Sequence, residues 1–220
     1  MTLSIILTSY NRPFFLKRAI DSILAQTCAD WRLIILDDNS NHETRQVLAQ
    51  YRDPRIDIRY HDTTDAERKT SSRYAVLINS VLPELTGGVV GYLCDNVEYY
   101  PQLVESVLRR FEECDAFAVY AVQRRDVWTA DGNLRGTAAQ FGHWDYMPGE
   151  YDKGYAYSGN LYGVFDHSQV FHRLPVDLRW NEGIDTVKFG DAEFYILLAE
   201  RYGMIYPIHD QPLTWEHIIE

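Results

Sequence analysis

Three short clusters of polar residues carry the oxygen groups that bind N–H donors and hard cations, and each cluster follows a short apolar run. The clusters are Thr8-Ser9-Tyr10, Asp37-Asp38-Asn39 and Asp95-Asn96. Carboxylate and amide oxygens accept hydrogen bonds and ligate hard cations. Turns after strands favour Asp, Asn and Ser for backbone reasons alone, so one such cluster has little weight. Three of them at neighbouring strand ends concentrate charge that a ligand or cation would offset, which predicts a ligand site.

The elements that must position these clusters alternate between strands and helices. Apolar runs predict strands at residues 3–8, 31–36, 56–60, 89–93 and 116–122, and helical periodicity appears at 13–24, 41–51, 74–81 and 101–113. This alternation is typical of an α/β fold with a largely parallel sheet. In open parallel sheets, ligands lie beyond the carboxyl ends of the strands, which is where the three clusters fall.

The second half of the chain has weaker periodicity. Residues 128–152 are rich in Gly, Trp and Tyr, which predicts long loops, with a hairpin over a cleft as an alternative. Residues 161–165 predict a strand and residues 191–202 a helix. The aromatic side chains of this region suit a ligand-binding wall or the packing of a core equally well. We therefore predict a single domain, with a Rossmann-like half at about residues 1–101 and a second half at about residues 102–220.

Composition and charge exclude several classes of function. The hydrophobic fraction of 46% is that of a globular chain with a full core. The net charge of -11 argues against a nucleic-acid partner, whose phosphates require clustered Lys and Arg. The sequence contains neither GxGxxG nor GxxxxGK[ST], which disfavours dehydrogenases and P-loop enzymes. A nucleotide would therefore be held by side chains and a cation.

Cysteine usage and apolar segments point to a cytoplasmic protein. Cys28, Cys94 and Cys114 show no CxxC spacing and are expected to be small buried residues of a reducing compartment. Residues 1–7 lack a basic leader and a small-residue cleavage site, so they predict a strand and not a signal peptide. No apolar run reaches the roughly 20 residues of a membrane span, so no transmembrane segment is expected.

The residues around the first two strands resemble family 2 glycosyltransferases of the GT-A fold. The resemblance is carried, in order, by Thr8-Ser9-Tyr10-Asn11-Arg12, Ser22-Ile23-Leu24-Ala25-Gln26-Thr27 and Leu36-Asp37-Asp38-Asn39-Ser40. Shorter matches follow at Glu67-Arg68, Arg73-Tyr74-Ala75, Leu77-Ile78-Asn79 and Gly190-Asp191-Ala192. The resemblance implies a mixed, mostly parallel sheet, an acceptor-binding second half, and transfer of a sugar from a nucleotide-sugar donor to an acceptor hydroxyl.

The same resemblance implies a donor site. Its residues would be Thr8, Ser9, Tyr10, Asp38, Arg68 and Asp95. Tyr10 would stack on the base, and Asp38 would accept the N–H of uracil or thymine, a bond that suits a carboxylate. Arg68 would contact the base or a phosphate, and Asp95 the ribose. Arg73, in contrast, is expected to form a solvent-facing pair at the start of its helix.

At the metal-binding turn the chain departs from the family pattern. The family usually has two adjacent carboxylates here, whereas this chain has Asp95 followed by Asn96, which offers a carbonyl oxygen but no charge. Either these two residues bind the metal weakly, or Glu98 contributes, or metal dependence is reduced. By its late position, His217 is a further candidate metal ligand. We expect weak binding of Mn or Mg that depends on the diphosphate of the donor.

Asp191 matches the position of the family's general base. Direct displacement at the anomeric carbon needs a carboxylate that faces the acceptor hydroxyl. The same residue would also cap the predicted helix. The sequence thus predicts an inverting glycosyltransferase that uses a UDP- or dTDP-sugar, the inversion being implied by the resemblance. The alternatives are a non-catalytic nucleotide-sugar-binding or scaffold protein and a nucleotidyltransferase, and homodimerisation is left open.

Overall fold

The computed structural model describes residues 1–128, 134–141, 166–184, 190–203 and 205–219. The strands of its single sheet are β1 (Leu3–Ser9), β2 (Trp31–Asp38), β3 (Ile56–His61), β4 (Val89–Cys94), β5 (Val97–Tyr99), β6 (Ala118–Trp128), β7 (Leu134–Phe141), β8 (Val170–Arg173) and β9 (Ile205–Ile219). The helices are α1 (Pro13–Leu24), α2 (His42–Leu48), α3 (Asp65–Thr70), α4 (Arg73–Val81), α5 (Leu103–Glu113) and α6 (Gly190–Tyr202). Within these ranges, every helix is too short or too polar to cross a membrane.

The first half of the sheet is parallel, as its continuous apolar strands predict. β3, β2, β1 and β4 lie side by side in that order. Residues 3–7 of β1 are all buried, because helices cover both faces of the sheet. The register pairs Ser9 with Asp37 and Thr8 with Cys94. The carboxyl ends of β1, β2 and β4 therefore meet at one edge.

A short helix, α3, lies in the polar stretch for which no element was predicted. Thr64 and Glu67 form a capping box, in which Thr64 N donates to the Glu67 carboxylate at 2.7 Å and Glu67 N donates to Thr64 Oγ1 at 3.3 Å. None of its residues is buried, so hydrophobic periodicity could not reveal it. The helix places Arg68 next to the end of β2.

The second half of the sheet mixes orientations. β8 joins β4 to β6 through antiparallel pairs, and β6 runs parallel to β9. The antiparallel pairing of β6 with β7 agrees with the hairpin alternative for part of residues 128–152. Strands β5, β8 and β9 were missed by the sequence analysis. The predicted strand at 161–165 lies outside the described residues.

Two apolar clusters sandwich the sheet and fix the position of its helices. On one face, side chains of α1 and α5 pack on β1, β2 and β4. On the other face, α4 and α6 pack around Trp180, which stacks on Phe194 with ring centres 4.3 Å apart. Asn79 on α4 fixes the position of the Trp180 backbone, because its side chain donates to Trp180 O at 2.8 Å and accepts from Trp180 N at 2.9 Å. The start of α6 is thereby held against the same face as α4.

Candidate active site

A cavity of about 270 Å³ opens at the carboxyl ends of β1, β2 and β4. It is lined by Thr8, Ser9, Tyr10, Arg12, Asp38, Arg73, Tyr74, Leu77, Cys94, Asp95 and His167. Five of the six residues predicted for the donor site line it, and the sixth, Arg68, contacts two of them. The convergence of the three polar clusters is thus seen in the structure, while their roles stay predictions.

The turns after β1 and β2 bend sharply to leave the strand ends open. Asn11 and Asn39 both adopt the left-handed conformation, with φ of 54° and 59°, which Asn tolerates better than most residues. Asn39 Nδ2 donates to Thr63 O at 2.9 Å, and Asn11 Oδ1 accepts from Asn41 N at 2.6 Å. These bonds join the two turns to each other and to the chain after β3.

Asp38 is the most heavily bonded acidic residue of the cavity. It ends β2 with 3% of its surface exposed. Its Oδ2 accepts from Arg68 Nη1, and its Oδ1 accepts from Arg73 Nη2 at 3.2 Å and from Thr63 Oγ1 at 2.5 Å. Two guanidinium groups therefore compensate one buried carboxylate. The prediction that Arg73 forms a solvent-facing pair was wrong, because its side chain turns inward to Asp38 and is 18% exposed.

Tyr10 lines the cavity together with Asp38, and Arg68 contacts both. The guanidinium carbon of Arg68 lies 3.6 Å from the centre of the Tyr10 ring, the geometry of a cation–π contact. Tyr10 is nevertheless 42% exposed, a large fraction for an aromatic residue. An aromatic ring thus stands at the entrance with part of its surface free for a flat ligand.

Asp95 lies at the base of the cavity, directly after β4. Its carboxylate accepts from Tyr10 N at 3.2 Å and from Arg12 Nη1 at 3.2 Å. Burial raises the pKa of Asp95, and the nearby Arg12 opposes that rise. Arg12 keeps a side-chain exposure of 49%, so it remains accessible to an anion in the cavity.

The predicted metal ligands are divided between two places: Asp95 lines the cavity, whereas Asn96 and His217 bond to each other outside its lining, His217 N donating to Asn96 O at 2.9 Å. Asn96 Nδ2 donates to His217 O at 3.0 Å, so the amide faces the backbone of β9. The buried His217 ring bonds Glu98 Oε1 through Nε2 at 2.5 Å and lies 4.7 Å from the Trp215 ring. Neither Asn96 nor His217 lines the cavity, which leaves Asp95 as the single predicted metal ligand that does. Their role in binding Mn or Mg therefore stays a prediction.

A different set of donor atoms does assemble at the cavity wall. Cys94 Sγ lies 2.9 Å from His167 Nε2, and an Asp166 oxygen completes a group whose three atoms are all within 4.8 Å of one another. Burial raises the pKa of the Cys94 thiol to about 12. The protonated thiol therefore donates to the imidazole. No sequence pattern indicates this cluster, because 73 residues separate Cys94 from His167 and no ligand spacing links them.

Asp191 occupies the first turn of α6, and its side chain lies outside the described residues. One turn later, the buried Tyr195 donates from its hydroxyl to His167 O at 3.0 Å. Because His167 lines the cavity, Tyr195 links α6 to the cavity wall.

The fold and the cavity define a class: an α/β protein with a cavity at the carboxyl ends of parallel strands, lined by acidic and basic side chains, where proteins of this class bind ligands. Residues 4–177 match the model of glycosyl transferase family 2. The chain belongs to this family, and its fold is the GT-A fold.

Two curated relatives cover most of this chain. Protein CgeD of Bacillus subtilis (strain 168) is 42% identical over 206 residues, which are 89% of this chain and 45% of CgeD. The GalNAc(5)-diNAcBac-PP-undecaprenol beta-1,3-glucosyltransferase of Campylobacter jejuni is 26% identical over 210 residues, which are 93% of this chain and 65% of that protein. The chain thus spans less than two thirds of either relative.

Among solved structures, S. aureus TarS 1-349 in complex with UDP-GlcNAc superposes with a TM-score of 0.68. The alignment covers 100% of this chain and 59% of the TarS chain at 14% identity. At this identity, the likeness establishes the fold.

Proposed function

We propose that this chain transfers a sugar from a UDP- or dTDP-sugar to an acceptor hydroxyl, with inversion at the anomeric carbon. Family membership supports the reaction class, and the Campylobacter relative is named as a glucosyltransferase. The observation that carries the proposal is Asp38, a buried carboxylate that lines the cavity next to an exposed aromatic ring.

Asp38 has an acceptor position left for a base. Among the residues that the structure describes, Thr63 and Arg73 donate to Oδ1, whereas Oδ2 accepts one bond, from Arg68. A carboxylate oxygen has two lone pairs, so Oδ2 retains one. Uracil and thymine each present an imide N–H that can fill it. Adenine has no imide N–H, and guanine is a larger purine, so Asp38 would favour a pyrimidine donor.

The surrounding residues suit the rest of the donor. Tyr10 would stack on the base, a contact worth about 1–3 kcal/mol per base. Asp95 would accept a ribose hydroxyl, and Thr8 and Ser9 line the same wall. Arg12, which is half exposed and beside Asp95, would bind the diphosphate.

For the chemistry, we assign the general base to Asp191. Its carboxylate would take the proton of the acceptor hydroxyl as that oxygen bonds to the anomeric carbon and the nucleoside diphosphate leaves with the bond electrons. Tyr195, one turn after Asp191, bonds to His167 of the cavity wall, which supports this assignment. Attack opposite the leaving group gives inversion.

A second candidate function is nucleotide-sugar binding without transfer. It is favoured by the metal-binding turn, where Asn96 replaces a carboxylate and its amide bonds the backbone of His217. In this case the chain would bind the donor in the same cavity and release no sugar.

The test is a thermal-shift panel of nucleoside diphosphates, followed by donor turnover. UDP or dTDP should stabilise the chain while ADP and GDP do not, since a ligand of the native state raises the melting temperature by mass action. Asp191→Asn should abolish sugar release and retain the UDP shift. Asp177→Asn, which replaces an exposed aspartate, is the matched control and should keep both. Equal shifts by all four nucleotides would refute the pyrimidine assignment, and full turnover by Asp191→Asn would refute the base. A UDP shift with no sugar released by the unaltered chain would favour the second candidate.

A further inference from the structure

The mismatch at the metal-binding turn coincides with a second donor set in the same cavity. Asn96 and His217 bond to each other and do not line the cavity, whereas Cys94 and His167 line it side by side. We propose that Cys94, Asp166 and His167 bind a thiophilic divalent cation of the Zn²⁺ type.

The three side chains are held in place by their neighbours. Cys94 N donates to Ser168 Oγ at 3.1 Å, which fastens the end of β4 to the turn that carries His167. The Asp166 carboxylate accepts from Ser168 N at 2.9 Å, and Asp166 N donates to Gln169 Oε1 at 2.9 Å. The backbone on both sides of the cluster is therefore fixed before any cation binds.

The ring of His167 is fixed as well. It stacks on Tyr74 with ring centres 5.5 Å apart and an angle of 5° between the planes, and 6% of the residue is exposed. Ligands that are oriented by packing and by bonds to their neighbours bind metal more tightly than mobile ones. The cluster thus has the rigidity of a built site.

The donor types select the cation. Sulfur and imidazole nitrogen favour Zn²⁺, whereas Mg²⁺ and Mn²⁺ favour oxygen ligands. In a tetrahedral site, bond lengths of about 2.3 Å to sulfur and 2.0 Å to nitrogen place these two atoms about 3.5 Å apart. Cys94 Sγ and His167 Nε2 are 2.9 Å apart, so their distance would increase by about 0.6 Å when a cation binds. Small rotations of the two side chains are enough for this change.

Three protein ligands leave a fourth position open, as in catalytic zinc sites. Cys94 and His167 both line the cavity, so this position faces the space in which the donor is proposed to bind. The cation site itself depends on the three side chains and does not rest on the proposed function.

Cobalt reports on this site without any enzyme assay. Co²⁺ bound by a thiolate gives a charge-transfer absorption that oxygen ligands do not give. We expect the full chain to bind one Co²⁺ with this absorption, and one equivalent of Zn²⁺ to abolish it. Cys94→Ser should lose the absorption, whereas Cys114→Ser, which removes another free thiol, should retain it. No thiolate absorption in the unaltered chain, or an absorption that survives Cys94→Ser, would overturn the proposal.

A second variant keeps the test independent of the folding of Cys94→Ser. Asp166→Asn preserves an oxygen acceptor for Ser168 N but removes the charge, so it should keep the absorption and weaken Co²⁺ binding at least about tenfold. Unchanged affinity in Asp166→Asn would exclude this carboxylate as a ligand and overturn the three-residue site. The thermal shift with UDP, measured on the same samples in the presence of a chelator, separates the cation site from the proposed function. If cobalt binding is absent while the UDP shift is intact, only the cation site is overturned.

Discussion

Arg68 binds both proposed partners of the base, since its guanidinium lies 3.6 Å from the centre of the Tyr10 ring and also pairs with Asp38. A planar cation can stack and donate two bonds at once, which an ammonium cannot do. Arg68 thus holds the aromatic wall and the carboxylate of the cavity in one arrangement. Without it, the Tyr10 ring and the Asp38 carboxylate would lose the side chain that links them.

Arg68→Ala should therefore weaken UDP binding by about tenfold or more, the usual cost of a charge-assisted hydrogen bond. Arg68→Lys should give an intermediate loss, because it keeps the charge without the stacking plane. Calorimetric titration with UDP measures both. Arg52→Ala is the control, because Arg52 is exposed and bonds the carbonyl of its neighbour Tyr51. Equal affinity in Arg68→Ala and Arg52→Ala would show that Arg68 has no part in nucleotide binding.

Asp38→Asn should reduce UDP affinity by about 10- to 100-fold, because a hydrogen bond to a charged acceptor contributes about 1.5–3 kcal/mol. The amide also leaves two guanidinium groups without their carboxylate, so the melting temperature should fall. Titration calorimetry, with thermal melting of the same samples, separates the two effects. Asp57→Asn removes an exposed carboxylate that pairs with Arg59 and should change neither quantity. An unchanged UDP affinity in Asp38→Asn would contradict the role of Asp38 as the base acceptor.

The parallel half of the fold could be predicted from the sequence because each buried strand is one continuous apolar run. β8 is only four residues long, and β9 includes Pro207 and Pro212, so neither shows a clear strand pattern. The convergence of Thr8, Asp38 and Asp95 followed from the rule for strand ends in parallel sheets.

Contacts between distant segments could not be predicted in the same way. The inward turn of Arg73 depends on Asp38, 35 residues away, and nothing local to the start of α4 indicates it. The Asn96 amide bonds to the backbone of a strand that the sequence analysis missed. A cysteine in an apolar run resembles a core residue until the fold brings a histidine to it.

His172 should make the stability of the chain depend on pH. It is fully buried, Tyr92 Oη lies 2.8 Å from its Nε2, and its Nδ1 donates to Arg173 O at 2.9 Å. Burial lowers its pKa from 6.5 to about 4. Between these values the unfolded chain binds more protons, so the free energy of unfolding falls as the pH falls, by about 3 kcal/mol in total. The stability that depends on a neutral His172 is fully present above pH 6.5 and is lost as the pH falls through 4.

His172→Gln removes this titration, so urea denaturation near pH 7 and near pH 4.5 should show a smaller loss of stability than in the unaltered chain. His42→Gln, at an exposed position at the start of α2, should leave the loss unchanged. If the two variants lose the same stability on acidification, His172 is not the titrating group.

Gly91 allows β8 to approach β4 closely. It pairs with Phe171, and a Cβ atom at position 91 would lie 2.4 Å from a ring carbon of that residue, well inside van der Waals contact. Gly91→Ala should therefore destabilise the chain by about 1–3 kcal/mol, the usual cost of overpacking a core. Gly87→Ala is the matched control, because a Cβ there has no heavy atom within 4 Å among its described neighbours. Urea denaturation measures the change in the free energy of unfolding of both variants from their midpoints, provided that the slope of the transition is unchanged. If the Gly91→Ala chain is as stable as the Gly87→Ala chain, the Phe171 ring can move aside. The contact between β4 and β8, where the parallel and antiparallel parts of the sheet meet, would then be less tightly packed than the structure shows.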